Sequence, residues 1–120
     1  MREDKHMINF PQDFLWGTST SGPQTEGRFA GDGKEDNLWD YWYQVEPHRF
    51  RFQEGPGLTS TFYENWEEDI ELLVETGHTA FRTSIQWSRI FPKGRGEVNP
   101  VGVAFYRQVF ERIKSKGIHL

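Results

Sequence analysis

A side-chain amide donates and accepts hydrogen bonds at once, which is what paired hydroxyls of a sugar ring require. Gln24 stands directly behind an aromatic stretch, Phe10, Pro11, Gln12, Asp13, Phe14, Leu15, Trp16, Gly17, followed by Thr18 to Ser21. Aromatic faces stack on the C–H side of such a ring, so this segment reads as one wall of a carbohydrate pocket. It reads equally as a buried strand that ends in a turn. A second residue with chemical potential is Arg82, which alternation places on the polar face of a strand together with Ser84 and Gln86. A guanidinium on the inward face of a strand carries a desolvation cost of several kcal/mol unless a carboxylate meets it. That carboxylate is either a catalytic group kept ionised by the cation or one half of a structural ion pair. His6, His48, His78 and His119 show neither metal-ligand spacing nor a shared helical face, so neither a metal nor another cofactor is expected.

These residues need elements to hold them. Phe14–Thr20, rich in aromatic and small residues, is the first expected strand, and a loop over 21–37 with four glycines leads to a short aromatic helix or turn over Leu38–Tyr43. Thr61–Thr76 is the firmest helix, with Phe62, Trp66, Ile70 and Leu73 on one face. That aromatic stripe is a core face rather than a ligand box. Thr61 with Glu64 forms a capping-box pattern, and Gly77 supplies the left-handed stop. A strand follows over Thr79–Trp87, with Phe81, Thr83 and Ile85 directed at the helices and Arg82 directed inward. Asn99 as cap and Pro100 at the first helical position open a last helix, with Val103, Tyr106, Phe110 and Ile113 as its apolar face and Gly117 as its end. Ile118–Leu120 reads as a third strand beginning. Strand, helix, strand, helix, strand is the rhythm of a parallel sheet with crossover helices.

The two motifs, Phe10 to Gly27 and Phe81, Arg82, Thr83, Ser84, Ile85, Gln86, Trp87, Ser88, Arg89, Ile90, Phe91, Pro92, together resemble the amino-terminal quarter of the glycoside hydrolase family 1 β-glycosidases, co-linearly from about Phe10 to Leu120. Pro23 departs from the Tyr, Phe, Asn or His usual before the glutamine, and Arg28 from the usual small residue. The resemblance implies an α/β fold, the first two and a half β/α units of a (β/α)8 TIM barrel. Such a barrel takes about 250 residues. It implies that Gln24 receives two adjacent sugar hydroxyls, that Arg82 lies beside the nucleophilic glutamate, and that Trp87 lines or supports the pocket. Glu26 is implied as an organiser of the loop, Arg89 as a structural pair or carbonyl cap, and Pro92 as the end of the strand. The family's two catalytic glutamates belong to an Asn-Glu-Pro tract and a Glu-Asn-Gly tract. Neither tract occurs in residues 1–120, so the catalytic pair is expected beyond them. Phe81–Ile85, with Thr at 83, and Gly22–Gln24 resemble the bacterial 6-phospho-β-glucosidase branch. The expected substrate is therefore a phosphorylated β-glycoside, a disaccharide. Unphosphorylated β-glucosides or β-galactosides, and a sugar-binding or structural fragment without catalysis, are the alternatives.

Composition bounds the rest. With 35% hydrophobic and 27% charged residues, the 120 positions read as a single globular segment, with residues 1–9 as a flexible arm. Eighteen acidic against 14 basic residues, net charge −4, speak against a nucleic-acid surface. His48, Arg49, Phe50, Arg51 and Phe52 form the one basic aromatic run, read as an irregular surface loop with buried rings. No apolar run suits a membrane span, no cysteine is present, and Met1–Met7 has no signal-like apolar stretch, so a cytoplasmic location is expected.

Overall fold

The structure, a computed structural model, describes residues 8–29 and 31–120. Met1–Met7 of the expected arm lie outside the described residues, and Ile8 and Asn9 are exposed without regular structure. Two parallel strands, β1 (Gly17–Ser19) and β2 (Ala80–Arg82), pair Gly17 with Ala80, Thr18 with Phe81 and Ser19 with Arg82. Gly17 is needed at this crossing, since a Cβ there would overlap the Ala80 carbonyl. Ala80 also bridges His119 in parallel, so the segment after Gly117 does begin a third strand.

Both strands are shorter than the periodicity suggests, because side chains take over the ladder. Before β1, the Trp16 amide donates to Thr79 Oγ1 at 2.8 Å. After β2, Ser84 Oγ accepts from the Gly22 amide, and the Gln86 amide donates to the Tyr106 hydroxyl at 2.8 Å. The backbone thus leaves the strand at Arg82, and Trp87 opens a helical turn instead of closing a strand. Ile85, expected against the helices, is 49% exposed.

Between the strands lie α1 (Gly22–Thr25), α2 (Leu38–Val45) and α3 (Phe62–Glu75); after β2 come α4 (Trp87–Ile90) and α5 (Pro100–Ser115). The loop expected over 21–37 therefore contains one helical turn. Phe62 and Ile70 of α3 are buried, with Trp66 and Leu73 packed alongside, as the four-four-three spacing requires. The expected capping box at Thr61 does not form. Thr61 takes a left-handed backbone (φ 56°, ψ 36°), and its hydroxyl donates to the Ser60 carbonyl and accepts from Asn65. The box is built at α2 instead, where Asn37 accepts from Asp40 and the Asp40 carboxylate accepts from the Asn37 amide. Asn99 caps α5 through the Val101 amide, and Gly117 (φ 74°) follows its end.

The buried face of α5 is Gly102, Phe105, Tyr106, Val109 and Ile113, with Val103 and Phe110 only partly covered. The rotation from the expected stripe has a cause: a Cβ on residue 102 would overlap the Arg89 carbonyl, so glycine lets α5 close onto α4 at that point. Phe62, Ile70, Phe81, Phe105, Tyr106, Val109, Ile113 and Ile118 make one core. In the basic aromatic run only the Phe50 ring is packed, against Trp39, Trp42 and Tyr43; Phe52 is 76% exposed.

This core is small for the chain. The radius of gyration is 18.4 Å, against about 14 Å for a compact domain of this length. Leu15, Leu38, Leu58, Ile85 and Trp87 are among the large apolar side chains left open. Urea unfolding of the isolated 120-residue chain, followed by circular dichroism, is expected to be broad and weakly cooperative, with aggregation at the unpaired strand edges. A sharp two-state transition in a soluble monomer would contradict this.

Candidate functional site

The turn that carries Gln24 is held from four sides. Ser21 leaves β1 in an extended conformation (φ −146°, ψ 155°), and its carbonyl accepts from the Gln24 and Thr25 amides at 3.0 and 3.2 Å. Ser84 takes the Gly22 amide, and Thr59 and Ser60 donate to the Thr25 carbonyl. Gly22 is required, because a Cβ there would overlap the Gln86 side chain and crowd the Glu26 carboxylate. Gln24 itself is exposed, with its amide oxygen accepting from Ser21 Oγ at 2.8 Å.

Arg82 closes β2 on the face opposite buried Phe81, and the Thr20 amide donates to its carbonyl at 2.8 Å. Its guanidinium has no ion-pair or hydrogen-bond partner among the described residues. Both Gln24 and Arg82 thus sit at the carboxyl ends of adjacent parallel strands, the end at which such barrels build their sites. Trp87 is placed differently. It is 61% exposed at the start of α4, its ring 4.6 Å from that of Phe91 and its indole nitrogen donating to the Gly94 carbonyl. It lines a groove of about 330 Å³ with Asn37, Ser88 and Phe91. Pro23 and Ser84 border that groove, which Gln24 and Arg82 do not line.

Beneath the turn lies a buried polar network. Glu26, 2% exposed, accepts from Arg89 Nε at 2.9 Å, Gln86 Nε2 at 3.0 Å and the Tyr106 hydroxyl at 2.6 Å. Arg89, fully buried, also donates through Nη1 to Asp32. Its Nη2 has no hydrogen-bond partner among the described residues, but the guanidinium lies 3.9 Å from the Tyr63 ring centroid, where the π face offsets part of that loss. Burial, then the Glu26 carboxylate, push the Tyr106 hydroxyl far above its ordinary value, so it stays a donor. Burial and Asp32 push Tyr63 up to about 12. Gln86 passes the network on, accepting from Asn37 Nδ2 at 2.7 Å, and Lys34 pairs with Asp40 in a second buried bridge at 3.0 Å. Glu26, buried and holding three donors from Gln86, Arg89 and Tyr106, is placed to organise the loop. Arg28 forks onto Asp36 with bonds of 2.9 and 3.1 Å.

Alternation puts Gln86 beside Arg82 on an inward face; the structure instead buries it under the turn. Asp32, Lys34 and the Tyr106 hydroxyl are network members that the sequence reading leaves out. One signal existed: a tyrosine on an apolar helix face needs a partner for its hydroxyl. The described residues hold no cluster of three or more metal-ligating side chains, and no helix long and apolar enough to cross a membrane.

A family model described as Glycosyl hydrolase family 1 matches residues 6–120. Among similar proteins, a 6-phospho-beta-glucosidase (GmuD) of Bacillus subtilis is 50% identical over 109 residues, which is 91% of this chain and 23% of that protein. Beta-glucosidase 3 of Arabidopsis thaliana is 43% identical over 110 residues, 92% of this chain and 21% of its own length. The solved family 1 β-glucosidase of Thermotoga maritima superposes with a TM-score of 0.85 at 36% identity, over 91% of this chain and 24% of the enzyme. The chain thus spans about a quarter or less of the relatives it matches. It belongs to glycosyl hydrolase family 1, as an amino-terminal part of that family's TIM barrel.

Proposed function

We propose that the full-length protein carrying this chain is a retaining β-glycosidase for 6-phospho-β-glucosides, with Gln24 and Arg82 as its contribution from the first two strands. The observation that carries this reading is the placement of an exposed amide in the turn that follows β1 and, at the end of the neighbouring parallel strand, of a guanidinium without a partner among the described residues. The amide suits sugar hydroxyls, and the cation suits a carboxylate nucleophile. Retention needs two carboxyls about 5 Å apart, one as nucleophile and one as acid and then base. Neither of the two tracts that carry the family's glutamates occurs in residues 1–120, so the resemblance assigns both to the polypeptide beyond residue 120. Trp87, in its neighbouring groove, is assigned a supporting part in the pocket wall.

The phosphorylated substrate is supported by Thr83, by Gly22–Gln24 and by 50% identity to a Bacillus protein named for that activity. Plain β-glucosides are the second reading, favoured by 43% identity to a plant β-glucosidase. A small-molecule glycoside handled in the cytoplasm, without nucleic acid or membrane, completes the proposal. Two observations decide it. The coding sequence past Leu120 should contain both glutamate tracts. Aryl β-glucosides with and without a 6-phosphate, assayed on the same full-length protein, should differ by about 100-fold in kcat/KM in favour of the phosphorylated one, because a site built for phosphate leaves its donors unpaired with a plain sugar. Equal rates would reject the phosphorylated substrate and leave the β-glycosidase; no cleavage of either would reject both.

A further inference from the structure

We propose that Ser21 is a positioning residue for the sugar-binding amide, holding Gln24 with its NH2 group turned outward; this deepens the reading of Gln24 given above and rests on it. A serine before a helix ordinarily accepts from the amides of the first turn. Here no such task is left for its hydroxyl. The Gly22 amide goes to Ser84 Oγ, Pro23 has no N–H, and the Gln24 and Thr25 amides go to the Ser21 carbonyl. The Ser21 hydroxyl caps nothing, and donates instead to the Gln24 amide oxygen at 2.8 Å.

The consequence is directional. An amide free to rotate presents donor and acceptor interchangeably, whereas one whose oxygen is held presents the NH2 pair and a single remaining lone pair. A sugar hydroxyl meeting Gln24 is then received mainly through its oxygen. The turn beneath is fixed by Glu26 and its three donors, so the amide is oriented on a rigid base.

A double-mutant cycle on the full-length enzyme with the aryl 6-phospho-β-glucoside or aryl β-glucoside it cleaves best provides the test. Ser21→Ala should lower kcat/KM about five-fold, the effect of one hydrogen bond, mainly through KM. Ser21→Thr keeps the hydroxyl on an extended backbone and should retain the rate. Gln24→Ala should lower kcat/KM at least about 30-fold, because buried partner hydroxyls lose their contact. Adding Ser21→Ala to Gln24→Ala should change nothing further, since the serine acts only through the amide. A full five-fold loss in that background, or no loss in Ser21→Ala alone, would overturn the orienting role while leaving Gln24 as a sugar ligand. Wild-type rates in Gln24→Ala would overturn both.

Discussion

In the full-length protein, Arg82→Met is expected to cut turnover between about 100- and 1,000-fold, with the fold intact. The guanidinium ends β2 with no partner among the described residues, at the end of the sheet where the site is built. A lone cation on the inner face of a barrel is stabilised by a carboxylate, and the nucleophile is the carboxylate the proposed reaction must keep charged. Preorganised charge of this kind contributes about two to three powers of ten when one donor is removed. The sign of the pH effect follows. A neighbouring cation lowers a carboxylate's pKa, so its removal raises it; the nucleophile must be ionised, and the acidic limb of the pH–rate profile therefore moves to higher pH. Methionine retains the length of the stem, which separates loss of charge from loss of packing. Turnover near wild type with an unmoved acidic limb would assign Arg82 to a structural pair.

The parts of this molecule that were legible in the sequence are those set by local rules. The α3 stripe, the Asn99–Pro100 start of α5 and the glycine stops at 77 and 117 follow from helical period and backbone freedom, and all are present. Local rules fail where a distant residue competes. The strand pattern of Thr79–Trp87 is sound by alternation, yet Ser84 and Tyr106 capture the hydrogen bonds that would extend it. Thr61 and Glu64 match a capping box, but the left-handed backbone at Thr61 prevents it, while Asn37 and Asp40 form one. Gln24 and Arg82 are singled out by amide chemistry, by alternation and by a motif, all of them local, and Arg89 reads as a structural pair or carbonyl cap with no partner named. Its link to Glu26 spans 63 positions, and no period in the sequence encodes that separation.

That link supports the second large effect. Arg89→Met in the full-length protein is expected to destabilise the fold by about 3–5 kcal/mol, because removing one partner leaves buried charge uncompensated. Glu26 and Asp32, 2% and 3% exposed at the side chain, would lose their shared cation together. The loss would reach the site, since Glu26 anchors the Gln24 turn and Gln86 anchors the cap of α2. Arg89→Lys should recover only part of it: an ammonium is a point charge and does not fork across two carboxylates on different loop segments, nor stack on the Tyr63 ring as the planar group does. Neutralising the whole set should recover more. With Glu26→Gln and Asp32→Asn added to Arg89→Met, no uncompensated charge stays buried, and the midpoint of urea unfolding should move back toward wild type. If the single Arg89→Met variant unfolds at the wild-type midpoint, the network is not what holds the turn. If the triple variant is less stable than the single one, the two carboxylates are held by their remaining donors, such as Gln86 and Tyr106, and are not left uncompensated by loss of the arginine.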